Sequence, residues 1–346
     1  MEAVFYDHFR TKPWMQEIDL PTLEGQSVLL QIKASGLCRS DWHGWMGHDP
    51  DIRLPHVPGH EFSGVIVEVG TDVRRWRKGQ RVTAPFIQAC GTCSCCQRND
   101  QQVCINQEQA GFSYWGSFAP HMVLRYADQN LVSVPDNVSF EAAALLGCRF
   151  GTAFRAICRQ AQVVRGQSVI IFGAGGLGLS ALLICKALGS KVCVVDPNED
   201  AIRFATQLGA DLSVTNWSLE HKSLVREWSE GGVHVSLDAV GKSDVVNQGL
   251  TCLRRRGKHV QVGLLVGDPL QISAENQRRL VAYELEVMGS HGLQAHQYKA
   301  MYQFIDRSRI DLSQLITHRL SLKEAIDWFF RLEGEPTTGI SVITEF

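Results

Sequence analysis

Hydrophobic and polar positions follow two rhythms along the chain. Over the first part, short runs rich in β-branched residues, such as SVLLQIKASG (27–36) and GVIVEVG (64–70), predict strands separated by turns. The stretch VLRYADQNLVSVP (123–135) continues that style. FEAAALLGCRFGTAFRAICRQA (140–161) then changes to helical period and composition. A β-rich unit that ends in a helical segment is therefore expected over residues 1–149.

From about residue 168 the pattern alternates between strand and helix. SVIIF (168–172) is a buried-strand run, GAGGLG a glycine turn, LSALLICKALG a helix and KVCVVD (191–196) a second strand. Strand-length apolar runs recur in HVSLDAVG, KHVQVGL and LEVMGS. This alternation is typical of an α/β fold with a doubly wound parallel sheet. We expect a nucleotide-binding domain over 150–290 and a return to the first domain over 291–346, which closes on GISVITEF.

Composition narrows the functional classes. The chain has 346 residues, 45% hydrophobic and 20% charged, with a net charge of -2. A chain of that length is expected to form two domains, each with its own hydrophobic core. The net charge gives no indication of a basic surface that would bind nucleic acid. MEAVFYDHFR lacks the features of a secretory signal, and no apolar run reaches membrane-spanning length. We expect a soluble, cytoplasmic protein without nucleic-acid or membrane partners.

Five cysteines are packed into CGTCSCCQRNDQQVC (90–104). In a reducing compartment such a cluster indicates metal binding or redox chemistry rather than disulfides. A C-x2-C-x2-C-x7-C spacing can close a tetrahedron of thiolates around zinc and leaves no open position. Cys95 is then the cysteine that does not bind the metal. With only one residue between them, the sulfurs of Cys93 and Cys95 could not both reach one metal ion comfortably. A redox dithiol and inert clustering remain as alternatives. The predicted structural zinc ligands are Cys90, Cys93, Cys96 and Cys104.

A second constellation is spread over GLCRSDWHGW (36–45), PGHEFSG (58–64) and LLGCRFGTA (145–153). Cys38, His60 and Cys148 with one water form the ligand set of a catalytic zinc that keeps its fourth position open. Such a metal acts as a Lewis acid on a bound alcohol or carbonyl. Taken singly, a cysteine in an apolar segment is more often a small buried hydrophobe.

A G-x-G-x-x-G motif follows the SVIIF strand and opens a helix. Gly173 permits the tight turn, Gly175 lets the backbone approach a pyrophosphate, and Gly178 allows close helix packing. The free N–H groups of the helix N-terminus favour phosphate. Asp196 ends the next strand, where a carboxylate accepts the ribose hydroxyls and repels a 2′-phosphate. NAD is favoured over NADP; an S-adenosylmethionine or flavin site is the alternative.

These motifs occur in order over essentially the whole chain: C-x-S-D-x-H, G-H-E, the four-cysteine lobe and a Gly-Cys pair ahead of the glycine turn. Together they resemble the zinc-containing alcohol dehydrogenases of the medium-chain dehydrogenase/reductase family. The resemblance implies a GroES-like catalytic domain and a Rossmann domain. It also implies two zinc ions per chain, NAD as cofactor, and a homodimer or homotetramer.

The resemblance also implies roles for individual residues. Glu61 resembles a carboxylate that approaches the zinc during ligand exchange, and Asp41 resembles the partner that orients His60. Ser40 resembles the hydroxyl that takes the substrate proton, and His43 the relay that passes it on. Further cofactor and substrate contacts are implied for Gly176, Leu177, Val262, Gly263 and Leu264 (cofactor), and for Trp45 and Phe86 (substrate pocket).

Three positions depart from the family pattern or separate its members. Arg149 stands where the family often has glycine, and Ala201 where a lysine often assists the ribose. Gly147–Cys148 replaces a Glu-Pro that is typical of polyol dehydrogenases. The expected reaction is reversible oxidation of an apolar primary, secondary or aromatic alcohol to an aldehyde or ketone.

Two other functions remain as alternatives. One is a polyol or amino-alcohol dehydrogenase of the same fold. The other is a non-catalytic protein that binds zinc and nucleotide. The triplet Ser40, Asp41 and His43 argues against the second, because a pure binding protein has no need of it.

Overall fold

The computed structural model describes residues 1–266, 269–334 and 337–346. Its strands are β1 Glu2–Phe5, β2 Trp14–Glu17, β3 Val28–Leu37, β4 Glu61–Val69, β5 Arg81–Thr83, β6 His121–Leu124, β7 Val132–Ser133, β8 Ser168–Phe172, β9 Lys191–Val195, β10 Leu212–Val214, β11 Val233–Asp238, β12 Leu253–Gln261, β13 Glu286–Gly289, β14 Ile316–Ser321 and β15 Ile340–Glu345.

The α-helices are α1 Arg39–Trp45, α2 Ser94–Gln97, α3 Ala127–Asn130, α4 Phe140–Leu145, α5 Arg149–Phe154, α6 Gly176–Ala187, α7 Glu199–Gln207, α8 Leu219–Trp228, α9 Ser243–Cys252, α10 Ala274–Ala282, α11 Tyr298–Ser308 and α12 Leu322–Gly334. In the described ranges, no helix combines the length and the apolar character that crossing a bilayer demands.

The first sheet is mainly antiparallel and joins strands from both ends of the chain. Its order is β14-β15-β3-β4-β5-β7, with β6 also paired to β3. Val28, Leu30 and Ile32 alternate along β3 and pack on Phe62 and Ile66 of β4 in one buried cluster. Alternation buries one face of the strand because successive side chains point to opposite sides. The two long strands β3 and β4 are therefore anchored in the core, and the candidate ligand Cys38 directly follows β3 while the candidate ligand His60 directly precedes β4.

The second sheet is parallel throughout, with the order β10-β9-β8-β11-β12-β13. This is the doubly wound order 3-2-1-4-5-6, whose topological switch point lies between β8 and β11. All five residues of β8 are buried, which explains its continuous apolar run. The predicted fold class, a GroES-like β-rich domain with a Rossmann parallel sheet, is confirmed.

The helical segment over 140–161 is interrupted, which its continuous pattern did not predict. Helix α4 ends at Leu145, and the chain resumes as α5, which continues as a π-helix over Arg155–Ala161. Cys148 stands between them with φ -127 and ψ -75, outside the helical region. The break is held in place because the Gly147 carbonyl accepts the Phe86 N–H at 2.9 Å. It allows the Cys148 side chain to face the loops that follow β3 and precede β4.

Candidate active site and metal centres

Three separate loops bring Cys38, His60 and Cys148 together. Cys38 follows β3 and precedes α1, His60 immediately precedes β4, and Cys148 precedes α5. Their ligand atoms and a carboxylate oxygen of Glu61 all lie within 4.8 Å of one another. Cys38, His60 and Glu61 are buried, and Cys148 is partly so. Two thiols and an imidazole at this separation can hold a zinc ion.

Asp41 organises the surroundings of this cluster. Its Oδ1 accepts from His60 Nδ1 at 2.8 Å and from the Gly59 N–H at 3.1 Å, and its Oδ2 accepts the Cys38 N–H at 3.1 Å. Because Nδ1 carries the proton of the neutral ring, His60 Nε2 offers a lone pair, and that atom is buried with no hydrogen-bond partner among the residues that the structure describes. An orphaned imidazole nitrogen beside two sulfurs is the arrangement that a metal ion satisfies. The residues therefore fit zinc.

The two thiols of this cluster differ in acidity. A hydrogen bond from Cys148 and, more weakly, the proximity of His60 hold the pKa of Cys38 well below its ordinary value, although burial opposes this. The same contact with Cys38, together with burial, raises the pKa of Cys148. By contrast, burial alone dominates at Cys185, where it raises the thiol pKa. Cys38 therefore favours the thiolate, the form that binds metals.

The four-cysteine lobe has the dimensions of a tetrahedral zinc site. Sulfurs at 2.3 Å from a zinc ion lie about 3.8 Å apart. Here the distances are 3.5 Å for Cys93–Cys96 and Cys90–Cys104, 3.7 Å for Cys93–Cys104 and 4.0 Å for Cys90–Cys96. Cys95 lies outside this group and contacts the Arg98 guanidinium at 3.7 Å. The lobe therefore fits a closed, structural zinc site.

The segment after β13 docks on this lobe. His291 Nδ1 lies 3.0 Å from the Gln102 carbonyl, and the Gln294 amide donates to the Asn99 carbonyl at 3.1 Å. The His291 ring also meets Phe86 edge-on at 5.3 Å between centroids, and Phe86 in turn lies 6.3 Å from the His60 ring. Phe86 thus stands between the lobe-docked segment and the candidate catalytic cluster. The sequence pattern gave no sign of His291.

Helix α1 carries the predicted proton-transfer residues. Ser40 Oγ lies 3.7 Å from Cys38 Sγ, and Ser40 and His43 occupy the same helix face because they are three residues apart. His43 Nδ1 lies 3.0 Å from Nδ1 of the exposed His48. Ser40 thus lies beside the cluster and His43 beside an exposed histidine, and His48 is a neighbour of His43 that sequence reasoning missed.

Trp45 has a different environment from Phe86. Its indole N–H donates to the Thr11 carbonyl at 2.7 Å, and its ring packs edge-on against Phe329 and Phe330 of α12. Only 2% of the residue is exposed. These contacts make Trp45 part of the packing between α1 and α12, whereas Phe86 contacts the cluster itself.

The glycine turn after β8 has the geometry that a dinucleotide pyrophosphate requires. Gly173 adopts φ +98, and a Cβ at Gly178 would collide with the Gly173 carbonyl. A Cβ at Gly175, by contrast, would meet no atom of the described residues within 4 Å, so the turn is open to them on that side. Gly176 and Leu177 form the first turn of α6, where free N–H groups point outward.

Two further segments, one after β9 and one after β12, lie at the same carboxyl edge of the sheet. The Asp196 carboxylate accepts the Ala174 N–H at 2.7 Å and the Asn198 N–H at 2.8 Å, which fixes it beside the turn. Ala201 is buried in the core and is therefore turned away from a cofactor ribose. The segment after β12 consists of Val262, Gly263 and Leu264. Leu264 is 59% exposed.

Comparison with known proteins identifies the class of molecule. The model of the alcohol dehydrogenase GroES-like domain matches residues 24–136, and that of the zinc-binding dehydrogenases matches 176–307. An alcohol dehydrogenase from Geobacillus stearothermophilus is 35% identical over 266 residues, 76% of this chain and 78% of the relative. This chain is a zinc-dependent medium-chain dehydrogenase. The predicted family is confirmed, and the dehydrogenase is an oxidoreductase.

Other relatives of this dehydrogenase carry different names. A sorbitol dehydrogenase from Halalkalibacterium halodurans is 30% identical over 90% of this chain and 89% of its own length. The structure of an alcohol dehydrogenase from Thermus sp. ATN1 superimposes with a TM-score of 0.89 at 26% identity, over all of both chains. The dehydrogenase therefore belongs to a family of alcohol and polyol oxidoreductases, and its own pocket must decide the substrate.

Proposed function

We propose that this protein oxidises an apolar primary, secondary or aromatic alcohol to an aldehyde or ketone with NAD, and catalyses the reverse reaction. The observation that carries the proposal is the buried cluster of Cys38, His60 and Cys148, with an orphaned His60 Nε2, beside a hydroxyl and an aromatic wall. A binding protein has no use for a hydroxyl at that position.

Cys38, His60 and Cys148 would hold the catalytic zinc, and Cys90, Cys93, Cys96 and Cys104 the structural one. A catalytic zinc supplies Lewis acidity, which lowers the pKa of an alcohol hydroxyl in the pocket. Asp41 fixes the His60 ring so that Nε2 faces the cluster. Glu61 is a buried carboxylate beside these three residues, with one oxygen within 4.8 Å of their ligand atoms.

Ser40 and His43 are assigned to proton transfer. Ser40 Oγ, 3.7 Å from Cys38 Sγ, would accept the proton of the substrate hydroxyl as it gives up its own. His43, further along α1, would pass a proton on towards the exposed His48, whose Nδ1 lies 3.0 Å from that of His43. Burial and the neighbouring His48 and Arg39 lower the pKa of His43, which keeps its imidazole neutral and ready to accept a proton.

NAD is assigned to the carboxyl edge of the parallel sheet, where it would supply the hydride-accepting chemistry of the reaction. Gly173, Gly175, Gly176, Leu177 and Gly178 would cradle the pyrophosphate. Asp196 would accept the ribose hydroxyls, and its negative charge disfavours the 2′-phosphate of NADP. The exposed backbone of Val262, Gly263 and Leu264 would contact the carboxamide.

Phe86 favours an apolar substrate because its ring stands edge-on to His60. Trp45 packs against Phe329 and Phe330 of α12, and its predicted place in the substrate pocket stays a prediction. Polyol oxidation is the second candidate, favoured by the likeness to a sorbitol dehydrogenase. Against it stands Gly147–Cys148 in place of Glu-Pro.

A cytoplasmic location and a homodimer or homotetramer remain predictions; light scattering of the purified protein tests the assembly.

The test is the rate of NAD reduction, followed by absorbance, with straight-chain, secondary and aromatic alcohols, diols and polyols. We expect the highest kcat/KM with an apolar alcohol, and a large loss of kcat in Ser40→Ala. Ser94→Ala in the four-cysteine lobe is the matched control and should retain full activity. Activity with polyols alone would favour the second candidate. No activity with any substrate, while zinc and NAD both bind, would favour a non-catalytic protein.

A further inference from the structure

Arg149 is a buried cation with an elaborate set of partners next to the candidate catalytic cluster. Its backbone N–H and Nε donate to Glu61 Oε1 at 2.8 and 2.9 Å, and its Nη2 contacts Glu61 Oε2. Nη1 donates to the Leu37 carbonyl at 3.2 Å. Arg149 is 7% exposed and Glu61 fully buried. Both carboxylate oxygens are therefore held by one residue, in the fork geometry that makes arginine–carboxylate pairs strong.

Two glycines leave room for this side chain. A Cβ at Gly36 of β3 would lie 2.5 Å from Arg149 Nη2, and a Cβ at Gly176 of α6 would lie 2.5 Å from Arg149 Cδ. Ile340 of β15 borders the same space, since its Cγ1 would lie 3.0 Å from a Cβ at Gly176. The Arg149 side chain thus runs past the first residue of α6 and reaches β3 with its guanidinium. Elements from both parts of the molecule determine where it points.

Glu61 would be a fourth ligand if it were released. One of its oxygens already lies within 4.8 Å of the ligand atoms of Cys38, His60 and Cys148. A zinc site with four protein ligands is closed and structural, whereas a catalytic site keeps one position for substrate. Carboxylate oxygens are good zinc ligands. If Glu61 approaches the metal only during ligand exchange, as the resemblance implies, its carboxylate needs another partner for the rest of the time, and Arg149 is that partner here.

We propose that Arg149 is a positioning residue that keeps the Glu61 carboxylate away from the catalytic metal and so preserves its open coordination position. The inference rests on the metal site of the proposed function. It accounts for the presence of a bulky cation directly after Cys148, the candidate ligand. Removal of the arginine leaves a buried carboxylate without a partner, and the metal is the nearest cation to which it can turn.

The test uses the full chain with Co²⁺ in place of zinc and imidazole as the added ligand. Imidazole binding to an open cobalt changes the visible spectrum, and the closed four-cysteine site does not respond. We expect Arg149→Met to weaken imidazole binding at least about tenfold, the lower end of effects reported for groups around metal ligands. The double variant Arg149→Met/Glu61→Gln should regain binding, since the amide is a poorer ligand. Arg319→Met, which breaks the exposed pair with Glu141, is the control.

Thermal unfolding of each variant checks the fold. If Arg149→Met does not fold, Arg149→Lys takes its place, because lysine keeps the positive charge but cannot hold both carboxylate oxygens as the guanidinium does. We expect Arg149→Lys to weaken imidazole binding as well, though less than Arg149→Met. Unchanged imidazole binding and an unchanged cobalt spectrum in the single variant would overturn the proposal. So would a double variant as weak as the single one. Failure of the native protein to bind Co²⁺ at this site would instead refute the proposed function.

Discussion

Asp41→Asn tests how far one buried carboxylate organises the catalytic cluster. In the native protein Asp41 accepts three hydrogen bonds, from His60 Nδ1 and from the N–H groups of Cys38 and Gly59. Alanine would orphan all three donors at roughly 1–3 kcal/mol each, a loss comparable with a total stability of about 5–15 kcal/mol. Asparagine is the sharper change, because its amide oxygen can still accept from His60.

In Asp41→Asn the amide oxygen can take the place of Oδ1, and the amide NH2 then takes the place of Oδ2. That NH2 faces the Cys38 N–H, so two donors meet and the hydrogen bond from Cys38 is lost. We expect metal-free protein to lose about 1–3 kcal/mol in denaturant unfolding. Because the orienting charge behind His60 is also gone, affinity for the catalytic zinc should fall about 10–100-fold. Chelator competition measures that affinity.

Asp51→Asn is the control, since Asp51 is exposed and lies on the following loop. It should leave both stability and zinc affinity unchanged. If Asp41→Asn lowers the stability of the metal-free protein yet binds zinc as tightly as the native chain, Asp41 only shapes the loop. The reasoning on His60 orientation would then be wrong.

Four other changes give distinct expectations. Cys148→Ala should abolish turnover and retain NAD binding, measured by fluorescence; normal turnover would refute the ligand assignment. Cys96→Ser should reduce zinc from two to one per chain by metal analysis, whereas Cys95→Ser should keep both. Asp196→Ser should raise the ratio of kcat/KM for NADP to that for NAD by about tenfold or more, through loss of one charge-assisted interaction; an unchanged ratio would contradict the assignment. Burial lowers the pKa of His56 to about 4, so the unfolded chain binds that proton more readily than the folded one. The resulting stability, about 3 kcal/mol, is complete above pH 6.5 and is lost as the pH falls towards 4, and pH-dependent unfolding of His56→Gln should show a shallower loss.

Local spacing made the four-cysteine lobe and the glycine turn predictable. The four cysteines of the lobe lie within fifteen positions, and Gly173, Gly175 and Gly178 act within a single turn, so chain geometry alone restricts what they can do. Strand alternation is equally local, which is why the two sheets followed from the pattern.

Contacts between distant segments were not predictable in this way. The Arg149–Glu61 pair joins residues 88 positions apart, and the helical period of 140–161 carries no sign that the helix breaks at Cys148. Trp45 and Phe86 look alike as aromatics near ligand motifs. Only the structure shows that Trp45 packs on α12 while Phe86 stands beside His60.

The position of β15 has a consequence for the order of events during synthesis. Ser341 pairs with Leu37, the residue before Cys38, whereas every strand of the parallel sheet lies between Ser168 and Gly289. A chain that emerges from the ribosome N-terminus first can complete the parallel sheet while the first sheet still lacks its C-terminal strands. Until β14 and β15 have been synthesised, the end of β3 that leads to Cys38 lacks the neighbouring strand with which it pairs in the folded protein.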